Sequence, residues 1–421
     1  MLFKKNIENL AAFGGGKMHS ENLDFKDIVF NSKDIKKGDV FLPLKGENHD
    51  GHKFISEAYS LGAICVVSEK KIENQNYILV ENTNTFLEKI ARKQRNLFDG
   101  LVIGITGSNG KTTTKETLYK YYKNKLGEEN VLKSFGNYNN FFGLCFSLLE
   151  LRESHKVGFF EIGTNNVGEI AKLAEVLRMN ISIITNIGYA HLEGLKSLKG
   201  VANEKTDIYA FTEDSGYCIG NIPYEFLKLG KKKSHKKKNF LSTENDPKKL
   251  LSKAIEIINN QLKLKSLPEE VYRFLDQKID VSGRFEIKKS KSKAIIIDDA
   301  YNANPDSFLY AFQKILDLGI SKIPFEKKFL KNLKRICVMG KMGELGEKSE
   351  ELHEYILKEA SLIFDLVYVL DFKTNLNESN IQYMGRENIK SKLNENINED
   401  VLIFFKGSRS VKMENIINNL I

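Results

Sequence analysis

The stretch Ile103-Gly-Ile-Thr-Gly-Ser-Asn-Gly-Lys-Thr-Thr-Thr-Lys-Glu116 decides the fold class of this 421-residue chain. The apolar run Leu101 to Ile105 predicts a buried strand, a glycine-rich turn stops it, and a helical segment follows from Lys111. In that order they let successive backbone N–H groups close around phosphate oxygens at a helix N-terminus. Lys111 offers a point charge to the β/γ-phosphates and Thr112 a hydroxyl to Mg²⁺. A nucleoside triphosphate is therefore expected on Gly107, Ser108, Asn109, Gly110, Lys111, Thr112 and Thr113. The spacing is irregular, because the G-x-x-x-x-G-K-[ST] pattern wants glycine where Ile105 stands, and Gly104 lies one place too early. The competing reading is a chance glycine-rich turn.

Outward from this loop the chain divides into three blocks. In residues 1–98 short strand-like runs (Asp39 to Leu44, Ile64 to Val67, Tyr77 to Val80) alternate with helical stretches such as Phe54 to Leu61. In 99–290, Val102 to Ile105, Val157 to Ile162 and Ile181 to Asn186 are each followed by helical pattern, as in a parallel α/β sheet. In 291–421 a second such set appears: Ala294 to Ile297, Arg335 to Met339, Leu366 to Leu370 and Val401 to Phe405, with a helix over Ser349 to Ala360. The expected class is α/β in three domains.

The bulk composition agrees. A length of 421 residues suggests two to four domains, and 41% hydrophobic with 28% charged residues describes a globular chain. No apolar run approaches the ~20 residues of a membrane-spanning helix, and no secretory signal is visible, so a cytoplasmic protein is expected. Cys65, Cys145, Cys218 and Cys337 lie among apolar neighbours without a C-x-x-C pair, which predicts reduced, buried thiols and no zinc site. The net charge of +9 is mostly scattered lysine. The one dense block, Lys231-Lys-Lys-Ser-His-Lys-Lys-Lys238, reads as a solvated loop or a polyanion contact. Without Trp or basic–aromatic alternation, nucleic acid is not the expected partner.

Ligands of parallel α/β sheets bind at the carboxyl ends of the strands. Glu161 closes the run Gly-Phe-Phe-Glu-Ile-Gly163, and His191 follows the strand ending near Asn186. A carboxylate and an imidazole beside a phosphate loop suit a metal–nucleotide site. By composition alone Lys205 is an ordinary solvated lysine. Arg284, in Val281-Ser-Gly-Arg-Phe-Glu286, either clamps a phosphoryl group or makes a surface ion pair. The Asp/Asn-rich run Ile297-Asp-Asp-Ala-Tyr-Asn-Ala-Asn-Pro-Asp306 suits a ribose or base. Phe405-Lys-Gly-Ser-Arg-Ser410 offers two cations and free N–H groups, a seat for a carboxylate.

Together these residues resemble the Mur ligases of peptidoglycan precursor synthesis, and among them the branch that adds a D-alanyl-D-alanine dipeptide. The resemblance runs in order through Asn31 to Phe41, Gly46-Glu-Asn-His-Asp-Gly-His52, Gly104 to Glu116, Gly136-Asn-Tyr-Asn-Asn140, Glu161 to Asn165, Thr185 to Glu193, Glu204-Lys-Thr-Asp207, Asp299 to Pro305, Gly340 to Gly346 with His353, and Lys406-Gly-Ser-Arg409. It implies a small α/β UDP-sugar domain (1–98), a central P-loop ATPase domain with a parallel sheet (99–290) and a C-terminal Rossmann-like domain for the incoming dipeptide (291–421). It implies Mg²⁺ on Thr112, Glu161, His191 and a carbamylated Lys205, and Arg284 at the γ-phosphate. Asp299, Asn302 and Asn304 would approach the ribose and adenine. Ser32, Lys33, Gly46, Asp50, Gly51, His52, Asn139, Asn140, Lys406, Ser408 and Arg409 would bind the other substrates. Lys33, Cys145 and Lys341 depart from the common Arg, Pro and Asp, and Lys33 loses a bidentate grip on the nucleotide-sugar.

The implied reaction joins D-Ala-D-Ala to the terminal carboxylate of UDP-N-acetylmuramoyl-tripeptide, with ATP, in a monomer. Two alternatives stand beside it: another Mur or folylpolyglutamate-type amide ligase, and a P-loop ATPase with a polyanion-binding surface.

Overall fold

A computed structural model describes residues 1–46, 49–136, 138–235, 239–243, 246–277, 281–318 and 333–421. Its described strands form three sheets. The first takes β1 (Lys17–His19), β2 (Ile28–Val29), β3 (Val40–Phe41), β4 (Cys65–Ser68) and β5 (Tyr77–Leu79), in the order β1-β5-β4-β3-β2. The second takes β6 (Leu101–Thr106), β7 (Val131–Lys133), β8 (Val157–Glu161), β9 (Ile181–Ile184), β10 (Tyr217–Gly220) and β11 (Asn239–Ser242), in the order β11-β10-β9-β6-β8-β7. The third takes β12 (Glu286–Lys289), β13 (Ile295–Asp298), β14 (Lys334–Gly340), β15 (Leu366–Leu370), β16 (Ile381–Tyr383) and β17 (Val401–Lys406), in the order β12-β13-β17-β14-β15-β16.

The second sheet is parallel throughout. Its strands β8 and β9 are buried along their whole length, and β6 everywhere but its first residue. Such strands read as continuous apolar runs because helices cover both faces. Register then places the chemistry: Ile105 pairs with Glu161 and Thr106 with Ile184, so the ends of β8 and β9 flank the glycine-rich turn after β6. In the third sheet only β12 runs antiparallel, against β13. Glu286–Lys289 thus joins the third sheet although it precedes residue 291.

The first sheet's layer is tied to the second through the helix Thr83–Asn96. Gln94 Nε2 donates to Leu151 O at 2.7 Å. Arg95 Nε donates to Leu177 O at 2.7 Å, and its Nη groups reach Arg178 O and Phe98 O. Phe30 packs against Phe146 with the rings tilted by 30° and their centroids 4.1 Å apart. One apolar cluster, from Phe3 to Phe404, runs through all three layers. All four cysteines are free and buried, and burial pushes the Cys65 and Cys145 thiols up to about 12, as inert core residues.

Arg95→Ala strands three interior carbonyls at once, which should cost about 3 kcal/mol. Urea unfolding should show a clearly lower midpoint, and a wild-type midpoint would show that Arg95 is no anchor.

Candidate active site

The turn after β6 takes its shape from two glycines and from the neighbouring strand end. Gly107 has φ 150° and Gly110 φ 77°. A Cβ on Gly107 would lie 1.8 Å from Thr185 Oγ1. Asn186 fixes the turn by accepting from Ser108 N at 3.1 Å through its carbonyl and from Asn109 N at 2.8 Å through Oδ1. The helix Lys111–Leu126 starts on Gly110 without a side-chain cap, so its first amides stay open to an anion. Gly104 is not part of this cradle. It lies inside β6, where a Cβ would meet Met179 Sδ at 2.6 Å, which accounts for the irregular spacing as strand packing.

Around the turn lie the expected polar groups of the second sheet. Glu161 is 2% exposed; it accepts from Thr112 Oγ1 at 2.8 Å and from Asn139 Nδ2 at 2.9 Å. Arg284 Nη2 donates to Thr112 Oγ1 at 3.1 Å and its guanidinium lies 4.2 Å over the Tyr301 ring. Arg284 Nε is buried without a hydrogen-bond partner. Lys111 folds back so that Nζ donates to Gly107 O at 2.7 Å, and burial lowers its proton affinity. His191, with φ 55°, places Nδ1 2.6 Å from Glu344 Oε2 without hydrogen-bond geometry. Burial lowers the imidazole pKa, which favours the neutral ring.

Lys205 corrects the compositional reading. It is not solvated but 1% exposed on the helix Leu198–Thr206, and burial, then Lys111, push its pKa well below the ordinary value. Glu204 beside it is also buried and accepts from Gly168 N and Ile170 N, both at 2.7 Å.

The Lys406-Gly-Ser-Arg409 run also differs from its expectation. Lys406 is not a free cation: it is 2% exposed, and Nζ lies 2.5 Å from Asp299 Oδ2 and 3.2 Å from Asn302 O. The Ser408 amide is not free either, since it donates to Lys341 O at 3.0 Å. Ser408 Oγ accepts from Gly343 N. Arg409 stays exposed and lies 3.5 Å from Glu414. Asp299 Oδ1 accepts from Phe285 N at 2.9 Å. Asn302 Oδ1 accepts from Ala303 N at 2.9 Å. Asn304 caps the helix Pro305–Leu316 through Oδ1 and donates from Nδ2 to Asn109 Oδ1 at 2.8 Å.

A cavity of about 1060 Å³ gathers these groups. Ser108, Asn109, Gly110, Lys111, Thr113, Asn139, Asn140, Glu161, His191 and Arg284 line it from one side, and Asp299, Asn302, Asn304, Lys406 and Arg409 from the other. Gly107, Thr112, Lys205 and Ser408 are not among its lining residues. Ser32, Lys33, Gly46, Asp50, Gly51 and His52 do not line it. Ser32 is buried in the turn Ser32–Asp34, Lys33 is exposed, and Asp50 Oδ1 lies 2.6 Å from His52 Nδ1. Glu47, Asn48, Asn137 and Lys236 to Lys238 of the quoted motifs lie outside the described residues. Lys233 of the lysine block pairs with Asp207 rather than with water alone.

Three residues escaped the sequence reading. Glu344 is the neighbour of His191. Lys115, with a side chain 0% exposed, donates to Ser134 O at 2.9 Å and Gly136 O at 2.6 Å, and so pins the segment that carries Asn139. Asp306 accepts from Tyr189 N at 2.6 Å. Each stands in a quoted run (Lys115 in Gly104 to Glu116, Asp306 in Ile297 to Asp306, Glu344 in Gly340 to Gly346), but the sequence marks none of them with a role of its own.

Gly107→Ala combines a strained φ with a side-chain collision, a cost of about 2 kcal/mol or more. Calorimetry should show ADP binding weakened at least about 30-fold, and wild-type affinity would reject the cradle.

With this geometry in view, the comparisons with known proteins are specific. Models of the Mur ligase family, catalytic domain, of the Mur ligase middle domain and of the Mur ligase, glutamate ligase domain match residues 25–95, 105–288 and 283–409. The UDP-N-acetylmuramoyl-tripeptide–D-alanyl-D-alanine ligase of Rickettsia prowazekii is 30% identical over 95% of this chain and 96% of its own. The ligase of the same name from Bacillus subtilis is 28% identical over 100% and 99%. The structure of MurF from Acinetobacter baumannii shares the fold, with TM-score 0.85 at 24% identity over 99% of both chains. MurF ligase from Thermotoga maritima, solved in complex with ADP, gives TM-score 0.77 at 27% identity over 93% and 96%. The chain belongs to the Mur ligase family.

Proposed function

We propose that this protein is the ATP-dependent ligase that joins D-Ala-D-Ala to the terminal carboxylate of UDP-N-acetylmuramoyl-tripeptide, through an acyl phosphate. The observation that carries the reading is the meeting in one cavity of the open helix N-terminus, Glu161, His191 and Arg284 with the Asp299–Asn304 run of the third sheet. The full-length relatives that bear this activity in their names support it.

The chemistry follows from charge. A carboxylate resists amines because oxide is a poor leaving group, so its oxygen first attacks the γ-phosphorus of ATP, the bond to the β–γ bridging oxygen breaks, and ADP leaves. The dipeptide amine then attacks the acyl carbon, the C–O bond to phosphate breaks, and inorganic phosphate leaves. Carboxylate and γ-phosphate repel by about 4 kcal/mol per unit pair at 4 Å and an effective dielectric of ~20. Lys111 and Arg284 oppose that repulsion and hold the phosphate in line. Arg284 Nε, a buried donor without a partner, suits a phosphoryl oxygen. The Asn304–Asn109 contact brings the third layer over the loop, which shields the acyl phosphate from water.

The residues present fit Mg²⁺. Glu161 is a buried carboxylate whose direct hydrogen-bond donors, Thr112 and Asn139, are both neutral, and such a charge calls for a cation. Thr112, Glu161, His191 and a carbamylated Lys205 would hold the ion, which when bound neutralises phosphate charge. Carbamylation needs a neutral amine, and the burial that lowers the pKa of Lys205 favours that form. The UDP group is assigned to the first layer, at Ser32, Lys33, Gly46, Asp50, Gly51 and His52. Asn139 and Asn140 are assigned to the acceptor peptide and Arg409 to the dipeptide carboxylate. Three domains, with the second boundary moved back from 290 to before Glu286 because Glu286–Lys289 belongs to the third sheet, and a cytoplasmic monomer complete the reading.

Lys111→Ala should abolish ADP release in a coupled assay while circular dichroism stays native; near-normal turnover would reject the phosphate assignment. Lys205→Ala should be inactive and partly restored by added short carboxylates. No rescue, together with an unmodified native lysine by mass spectrometry, would reject carbamylation.

A further inference from the structure

Beside the Arg284–Thr112 bond and the Glu193 amide on Glu344 O at 3.0 Å, the N-terminal turn of the helix Pro305–Leu316 makes two adjacent contacts from the third layer to the phosphate loop and to the segment next to it. One is Asn304 Nδ2 to Asn109 Oδ1 at 2.8 Å. The other is the Tyr189 amide, which donates to Asp306 Oδ2 at 2.6 Å. Gly188, just before Tyr189, has its amide and carbonyl on Ser108 Oγ of the loop, both at 2.9 Å. His191 lies two residues further on. Asp306 therefore grips a segment that is bonded to the phosphate loop on one side and carries a candidate metal ligand on the other.

Gly188 makes the grip sterically feasible. Its φ is not positive, so alanine suits its backbone, yet a Cβ there would lie 2.0 Å from Asp306 Oδ2. The two positions fit as a key and its slot: the carboxylate fills the space a methyl group would need.

We propose that Asp306, through the Tyr189 amide and the clearance left by Gly188, is the positioning residue that locks the third layer onto the phosphate loop. The lock links occupancy of the loop to the placement of Arg409, assigned to the dipeptide carboxylate, and of Asp299 and Asn302, assigned to the nucleotide, so its loss should fall on the dipeptide and on ATP rather than on the acceptor. Asp306→Asn keeps an oxygen that can accept from Tyr189, whereas Asp306→Ala does not.

The test uses the full chain, and its kinetic arm rests on the ligase reading above. Asp306→Ala should lower kcat/KM for D-Ala-D-Ala about tenfold, the loss of one charge-assisted hydrogen bond, with KM for the acceptor peptide nearly unchanged. Asp306→Asn should stay within about threefold of wild type. Gly188→Ala should match Asp306→Ala, and the double variant Gly188→Ala/Asp306→Ala should be no worse than the poorer single one, because both break one contact. Small-angle scattering with a nonhydrolysable ATP analogue needs no turnover, and it should show a larger radius of gyration for each single variant. Wild-type scattering and kinetics for Asp306→Ala would overturn the lock, as would multiplying defects in the double variant. A change confined to KM for ATP would overturn it too, making Asp306 a nucleotide contact. No ADP release by wild type with any acceptor would overturn the ligase reading alone, since the scattering comparison still decides the lock.

Discussion

Burial of the Glu161 carboxylate is the constraint around which the crevice is organised. A carboxylate at 2% exposure loses several kcal/mol of hydration unless its surroundings replace it. Thr112 and Asn139 replace part of it directly, and each belongs to a different segment: the helix after the phosphate loop and the turn that Lys115 pins. Arg284 adds its charge through Thr112, from the edge of the third layer. A single acid thus fixes the relation between three stretches distant in sequence.

The same desolvation sets the character of the cations. Burial lowers the proton affinity of both Lys111 and Lys205, and the charge of Lys111 adds to the effect on Lys205. The cost is carried by the rigid parallel sheet, whose central strands end together at the crevice. A triphosphate arriving there restores the balance, since it brings the negative charge these groups lack. That complementarity explains why the site suits an anionic nucleotide, whose charge favours the protonated form of Lys111.

Much of this was legible in the sequence, for identifiable reasons. The strands Leu101–Thr106, Val157–Glu161 and Leu366–Leu370 are largely apolar runs, and a glycine-rich loop of phosphate-binding type closes the first of them. The strands Lys17–His19, Asn239–Ser242 and Ile381–Tyr383 escaped notice because they are short, partly polar edges of their sheets. Lys205 was illegible since a buried lysine looks like a surface one until a helix is packed. Lys406 was misread as free because its neutralising partner, Asp299, lies 107 residues away. The motifs placed Lys406 and Asp299 at the site, but only tertiary structure shows that these two pair.

The account's central claim is that the acceptor carboxylate is phosphorylated before the amine attacks. Acceptor peptide labelled with ¹⁸O in its terminal carboxylate tests it most directly, with the released phosphate read by ³¹P NMR. The account predicts one ¹⁸O atom in the inorganic phosphate for each peptide bond formed. Phosphate free of label, with ADP still released and ligation complete, would contradict it.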